Sequence, residues 1–192
     1  MWVKTREAVS ELFDARPATV ERHPIIGIDP VNTTQQLGVP GPWWDRLPHF
    51  RMGFTPSNGE EIQSEYLLPR RHAVAAIAAL RGVGDRLRPL LQVCEIRTVA
   101  ADRLWMSPMY ERDTVALHFT WVRDQAAVEA VLEPLEAALA PFEPRPHWGK
   151  VYLSAPAYPR GADFLALVER YDPRGSFRND WLTATLGPRS AR

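Results

Sequence analysis

The clearest period-two stretch in the chain is Thr114–Val122 (TVALHFTWV), where Leu117, Phe119 and Trp121 alternate with His118 and Thr120. Successive side chains on a strand point to opposite faces, so this run predicts a strand with one apolar and one polar side. Leu91–Thr98 (LQVCEIRT) repeats the arrangement: Cys94, Ile96 and Thr98 share one side, and Val93, Glu95 and Arg97 the other. Ile62–Leu68 (IQSEYLL) and His147–Leu153 read as two further strands, and His49–Thr55 (HFRMGFT) as a short one upstream. Helical spacing replaces alternation in four places. Ala73, Val74, Ile77, Leu80 and Leu87 form an apolar stripe that Gly82 and Gly84 weaken or end early, and Gln125–Leu139 follows an Asp124 N-cap, with a kink expected at Pro134. Asp163–Tyr171 and Asn179–Leu186 are shorter helices, the second stopped by Gly187 and Pro188.

Between Ile62 and Leu153 the order is strand, helix, strand, strand, helix, strand. This is the ferredoxin-like pattern of an α+β domain: an antiparallel sheet with both helices on one face. The apolar strand sides then pack on the helices, and Glu95, Arg97, His118 and Thr120 fall together on the opposite side. Pattern alone leaves that side with two readings, a solvated or ion-paired sheet face and the wall of a site. Upstream, Trp2–Phe13 reads as a short helix. The stretch from Arg16 to Pro48 is dense in Pro, Gly, Asn and Thr with no periodicity, an irregular loop that Trp43 and Trp44 are expected to pin to a neighbouring surface. The expected organisation is a lead-in segment over 1–48 and an α+β domain over 49–192.

Composition narrows the function classes. A chain of 192 residues is long enough for a sizeable core, and with 23 Lys+Arg against 23 Asp+Glu it is formally neutral. It therefore carries no electrostatic footprint for nucleic acid or an anionic membrane. The longest apolar helical run, Ala73–Leu80, is too short to span a bilayer, and the start has no apolar signal core. A soluble, cytoplasmic protein is expected. The one cysteine, Cys94, precludes an internal disulfide; on the apolar side of its strand it is expected to be a small buried residue.

Candidate chemistry is sparse in motif terms. Lys150, in RPHWGK, shares a predicted strand side with Trp148 and Tyr152; it reads as a surface cation with an apolar stem or as a site cation. His49, His118 and His147 show no zinc-type spacing, so no metal is expected, and Glu65 reads as a cross-strand or domain-contact partner. No P-loop, GxSxG or GxGxxG occurs, so the chain has no motif that binds a nucleotide by itself.

Several long segments nevertheless resemble one family. EIRTVAADRLWMSPMYERDTVALHFTW, then RPHWGK, YPRGADF and DPRGSFRNDWL, with VPGPWWDRLPHFRMGFTPSNGEEIQSEY upstream, resemble the C-terminal part of the alditol oxidase and aldonolactone oxidase branch of the vanillyl-alcohol oxidase flavoproteins. The resemblance implies a substrate-side cap domain that closes over the flavin of an FAD-binding domain lying outside this chain. The family's substrate-contacting Glu and Arg then fall on Glu95 and Arg97, its Thr on Thr120 and its Lys on Lys150, with His118 lining the pocket. It implies FAD as cofactor, an FAD-binding domain or subunit as partner, and a polyol or aldonolactone as substrate. Arg97 and Lys150 are the residues it implies for catalysis, through stabilisation of a developing alkoxide or sharing of its proton. Alditol oxidation is the leading expectation. The alternatives are an aldonolactone oxidase domain and a non-catalytic ferredoxin-like assembly module.

Overall fold

The computed structural model describes residues 6–7, 9, 11, 13–23, 29–46, 51, 53–54 and 60–187. The chain divides into two compact units, Met1–Gly59 and Glu60–Arg192. The expected strand at His49–Thr55 and helix at Trp2–Phe13 lie largely outside the described residues.

In the first unit, short 3-10 turns occupy Pro30–Asn32 and Trp43–Asp45. The Asp29 side chain accepts from the Val31 N–H to start the first, while Pro30 supplies a preset φ. The loop is tied by its own polar groups: Arg51 donates through Nε to the Thr33 carbonyl at 3.0 Å, and Arg46 donates to the carbonyls of Val39 and Pro40. Trp43 and Trp44 meet edge to face at 5.9 Å and are exposed.

The second unit holds the sheet. Its elements are β1 (Glu61–Pro69), α1 (Ala73–Leu87), β2 (Leu91–Val99), β3 (Thr114–Val122), α2 (Gln125–Leu139), β4 (Arg145–Pro146), α3 (Gly161–Tyr171) and α4 (Asp180–Leu186). The strands lie in the order β2-β3-β1-β4, each neighbouring pair antiparallel, which is the ferredoxin-like topology. Asp124 caps α2 by accepting from Ala127 N–H, and Asn179 caps α4 by accepting from Leu182 N–H. Gly82 and Gly84 do not end α1; a Cβ at either would meet nothing within 4 Å, and the helix runs on to Leu87.

The core forms where the strands' apolar sides meet the helices. Tyr66 and Leu68 of β1, Leu117, Phe119 and Trp121 of β3, and Val128, Leu132, Leu135 and Leu139 of α2 are all buried. Phe119 and Trp121 stack at 5.3 Å, and the indole N–H of Trp121 donates to Ser64 Oγ at 2.9 Å, so this bulky ring is buried without an orphan donor.

Two expectations are corrected. Cys94 is exposed, as is Ile96 at 57%. β2 is the outer strand, and α1 presents Gly84 where a side chain would be needed to cover it. A cleft of about 310 Å³ is left, lined by Ile77, Leu80, Gly84, Leu87, Cys94 and Ile96 among others. Nor is His147–Leu153 a continuous strand, because regular pairing stops at Pro146. His147 N–H still donates to the Glu65 carbonyl, but the next bond to β1 runs from Val151 N–H to the Gln63 carbonyl. The pairing Tyr66↔Pro146 would set Gln63 opposite residue 149, so the outer segment carries two extra residues, a wide bulge closed by Lys150 N–H on the His147 carbonyl at 3.0 Å. Among the described residues, no helix is long and apolar enough to cross a membrane.

Candidate functional site

The sheet face opposite the apolar core carries the polar set. Register places Glu65 of β1, His118 of β3 and Glu95 of β2 directly opposite one another, in one row across three strands. Thr120 lies one step along, paired with Gln63 and Val93, and Arg97 lies one step the other way, opposite Ala116. Lys150 reaches the same row from the bulge beyond β1.

Glu65 is the hub. It is only 6% exposed; its Oε1 accepts from Arg97 Nη1 at 3.1 Å and its Oε2 from Lys150 Nζ at 2.5 Å. Arg97 also donates through Nη2 to Glu95 Oε2 at 2.5 Å, so one guanidinium spans two carboxylates on neighbouring sheet positions. Burial pushes the Glu65 pKa up. The hydrogen bond from Lys150 and the charges of Lys150 and Arg97 outweigh it and hold the carboxyl at about 2. Glu65 is therefore ionised at neutral pH, and Lys150 and Arg97 are its counter-charges.

His118, 3% exposed, completes the array. Its Nδ1 lies 2.9 Å from Lys150 Nζ and 3.5 Å from Glu65 Oε2. An ammonium only donates, so Nδ1 accepts from Lys150 and the ring proton sits on Nε2. Nε2 is 3.3 Å from Thr120 Oγ1 and 3.7 Å from Glu95 Oε2. In the bulge, His147 Nδ1 accepts from Gly149 N–H at 3.1 Å; burial, then the nearby Lys150 charge, push the His147 pKa down and favour this neutral acceptor form.

All five residues expected from sequence, Glu95, Arg97, His118, Thr120 and Lys150, thus come together on one face. Glu65 was legible only as a cross-strand partner, yet it joins both cations. The signal was present: an acid two positions from Leu67, on the polar side of a strand that the fold makes central, must face both neighbouring strands. Trp148 packs against Trp181 at 5.7 Å, and the Trp181 indole donates to the Tyr152 hydroxyl at 2.8 Å, giving an aromatic group on the segment that follows β4. Among the described residues no group of three or more His, Cys, Asp or Glu side chains is set to hold a metal ion.

A ferredoxin-like sheet with paired carboxylates and cations on the side opposite its core is an α+β architecture with a charged wall. The family to which this wall belongs follows from sequence: the chain belongs to the D-arabinono-1,4-lactone oxidase family, whose model matches residues 55–185. That family consists of FAD-dependent oxidoreductases. The chain is 55% identical to alditol oxidase from Streptomyces sp. (strain IKD472 / FERM P-14339) over 194 residues, which cover 97% of this chain and 46% of that protein. It is 31% identical to L-gulono-1,4-lactone dehydrogenase from Mycobacterium tuberculosis (strain ATCC 25618 / H37Rv), over 66% of this chain and 31% of that one. L-gulonolactone oxidase from Scyliorhinus torazame is 28% identical, over 64% and 30% respectively. The chain spans less than half the length of these curated relatives.

Two carboxylates, a guanidinium, an ammonium, an imidazole and a hydroxyl on one sheet face supply donors and acceptors for hydrogen bonds. The described chain offers no glycine-rich phosphate cradle for the dinucleotide itself.

Proposed function

We propose that this chain is the substrate-binding cap domain of an FAD-dependent alditol oxidase, and that its open sheet face holds a polyol against the flavin of an FAD-binding domain. The observation that carries this reading is the joint hold of Glu65 on Arg97 and Lys150 beside His118, which aims two cations at one patch of the sheet. The lead-in segment over 1–48 packs on the FAD-binding domain in this reading, and 49–192 forms the cap.

Oxidising an alcohol by hydride loss requires its hydroxyl to give up a proton as negative charge grows on oxygen. Arg97 stays protonated and, fixed between Glu65 and Glu95, donates to that oxygen without acting as a base. Lys150 has donors committed to Glu65 and His118, and a third for the substrate oxygen. Passing one Nζ proton to His118 Nδ1 first leaves a neutral amine whose lone pair takes the hydroxyl proton, so the Lys150 ammonium is restored and the proton rests on the imidazole. The imidazolium then lies between Glu65 and Glu95, which stabilise it. Glu95 and Thr120 accept from and donate to neighbouring hydroxyls and so fix which carbon faces the acceptor. The chemistry an FAD supplies when bound is acceptance of the hydride and its passage to O2 as hydrogen peroxide.

An aldonolactone substrate is the second reading, favoured by the name of the matching family and of two relatives. Assembling the chain with an FAD-binding domain and measuring peroxide formed from xylitol, sorbitol and an aldono-1,4-lactone in parallel separates them. Turnover of the polyols in preference to the lactone supports the alditol reading, and the reverse order replaces it with the lactone reading. No turnover of either by a flavin-loaded assembly leaves a non-catalytic assembly module.

A further inference from the structure

On the helix side of the sheet, α2 carries a carboxylate where its apolar stripe calls for a hydrocarbon. Leu132, Leu135 and Leu139 are fully buried, and Glu136, at 9% exposure, sits among them. Among the described residues no Lys or Arg pairs with it. Four donors converge on it instead. Oε1 accepts from the Tyr66 hydroxyl at 2.7 Å and from Leu153 N–H at 2.8 Å; Oε2 accepts from Ser154 N–H at 2.8 Å and from the Ser154 hydroxyl. Burial and this bond keep the Tyr66 phenol protonated and donating.

A buried carboxylate without a cation is costly unless its lone pairs are filled, and here they are filled by two consecutive backbone amides of a segment with no regular structure. That segment follows the bulge bearing Lys150. The bulge is held to β1 by His147 N–H at one end and Val151 N–H at the other, with two residues in excess of the ladder between them. The turn bond from Lys150 N–H to the His147 carbonyl and the Val151 bond to Gln63 set the length of that excess, and the grip on Leu153 and Ser154 anchors the chain two residues beyond the last bond to β1.

We infer that Glu136 is a positioning residue for Lys150: it clamps Leu153 and Ser154 so that the bulge delivers the ammonium to Glu65 and His118 on the other face of the sheet. An effect on turnover rests on the oxidase reading; the position of Lys150 does not, and it is read without flavin or substrate.

The chain contains two lysines, Lys4 and Lys150, so ¹³C-lysine labelling of the 192-residue protein yields two ε-methylene signals. Glu65→Gln assigns the Lys150 signal by displacing it. Glu136→Gln keeps one accepting oxygen but turns an N–H2 toward Ser154. It is expected to move the Lys150 signal at least half way to the free-lysine position while the β1 and β3 amide signals stay folded. Tyr66→Phe removes a donor from the same carboxylate without freeing Leu153 or Ser154, and is expected to leave Lys150 in place. A folded Glu136→Gln protein with an unmoved Lys150 signal overturns the inference, as does an equal displacement in Tyr66→Phe, which would mark general loosening of the core. Should Glu136→Gln not fold, Ser154→Ala decides: a smaller displacement in the same direction supports the clamp, and none overturns it.

Discussion

The two faces of one sheet are built from alternate residues of the same strands, yet they use opposite physics. Toward the helices, Leu117, Phe119 and Trp121 are buried among Leu and Val and gain their free energy from area removed from water. On the other side, His118, Glu65, Glu95, Arg97 and Lys150 pair charges across three strands and the bulge. Their arrangement is stabilising only because the two cations and their hydrogen bonds outweigh the cost of desolvating Glu65. A folded scaffold needs the first face; the second is explained by what it holds in position.

The largest effect should come from the first face. Trp121→Ala deletes a fully buried ring and the bond to Ser64, and is expected to cost about 3–5 kcal/mol in denaturant unfolding. A cost near that of a surface substitution would mean the two faces are not distinct in energy.

Next comes acid. The Glu65 carboxyl is held at about 2 against an ordinary 4.5, so its contribution is fully present above the ordinary value and is lost as pH falls from about 4.5 toward 2. Up to about 3 kcal/mol should disappear over that window. Glu65→Gln should flatten this limb of the stability profile; an unchanged profile would show that the charge array is not closed in solution.

Smaller still, Thr120→Val conserves shape and removes one hydroxyl at the polar row. It should change stability by no more than about 1 kcal/mol while raising KM for a polyol in the assembled enzyme. Equal losses in KM and stability would assign Thr120 to the scaffold. Smallest of all, Cys94→Ser should shift stability by under about 0.5 kcal/mol, since the thiol lies exposed beside the cleft. The native protein should react with a thiol reagent, more slowly than its unfolded form because partial burial and the Glu95 charge raise the Cys94 pKa, and a fully protected thiol would show that the outer edge of the sheet is covered.

The same contrast explains what the sequence made legible. Alternation in TVALHFTWV and LQVCEIRT assigned side chains to faces correctly, because parity is a local property of extended backbone. α2 was delimited by Asp124 and its periodic leucines. Three features depended on information that is not local. The central role of Glu65 requires strand order, which sets β1 between β3 and β4. The exposure of Cys94 requires knowing that β2 is an edge and that α1 has a glycine facing it. The bulge at Lys150 requires the count of residues between two hydrogen bonds to β1, which neither composition nor period records. Lys150 reached the expected site through backbone irregularity where a regular strand was expected.

In the proposed oxidase the polar sheet face is the substrate wall, and Arg97 and Lys150 act on the reacting oxygen. The most direct test is the rate of flavin reduction by xylitol under anaerobic conditions, in the chain assembled with its FAD-binding domain, for the parent and for Arg97→Ala and Lys150→Met. The account predicts rapid bleaching of the flavin in the parent and a loss of at least about a hundredfold in each variant, with flavin still bound. Bleaching at the parental rate in both folded, flavin-loaded variants would contradict it.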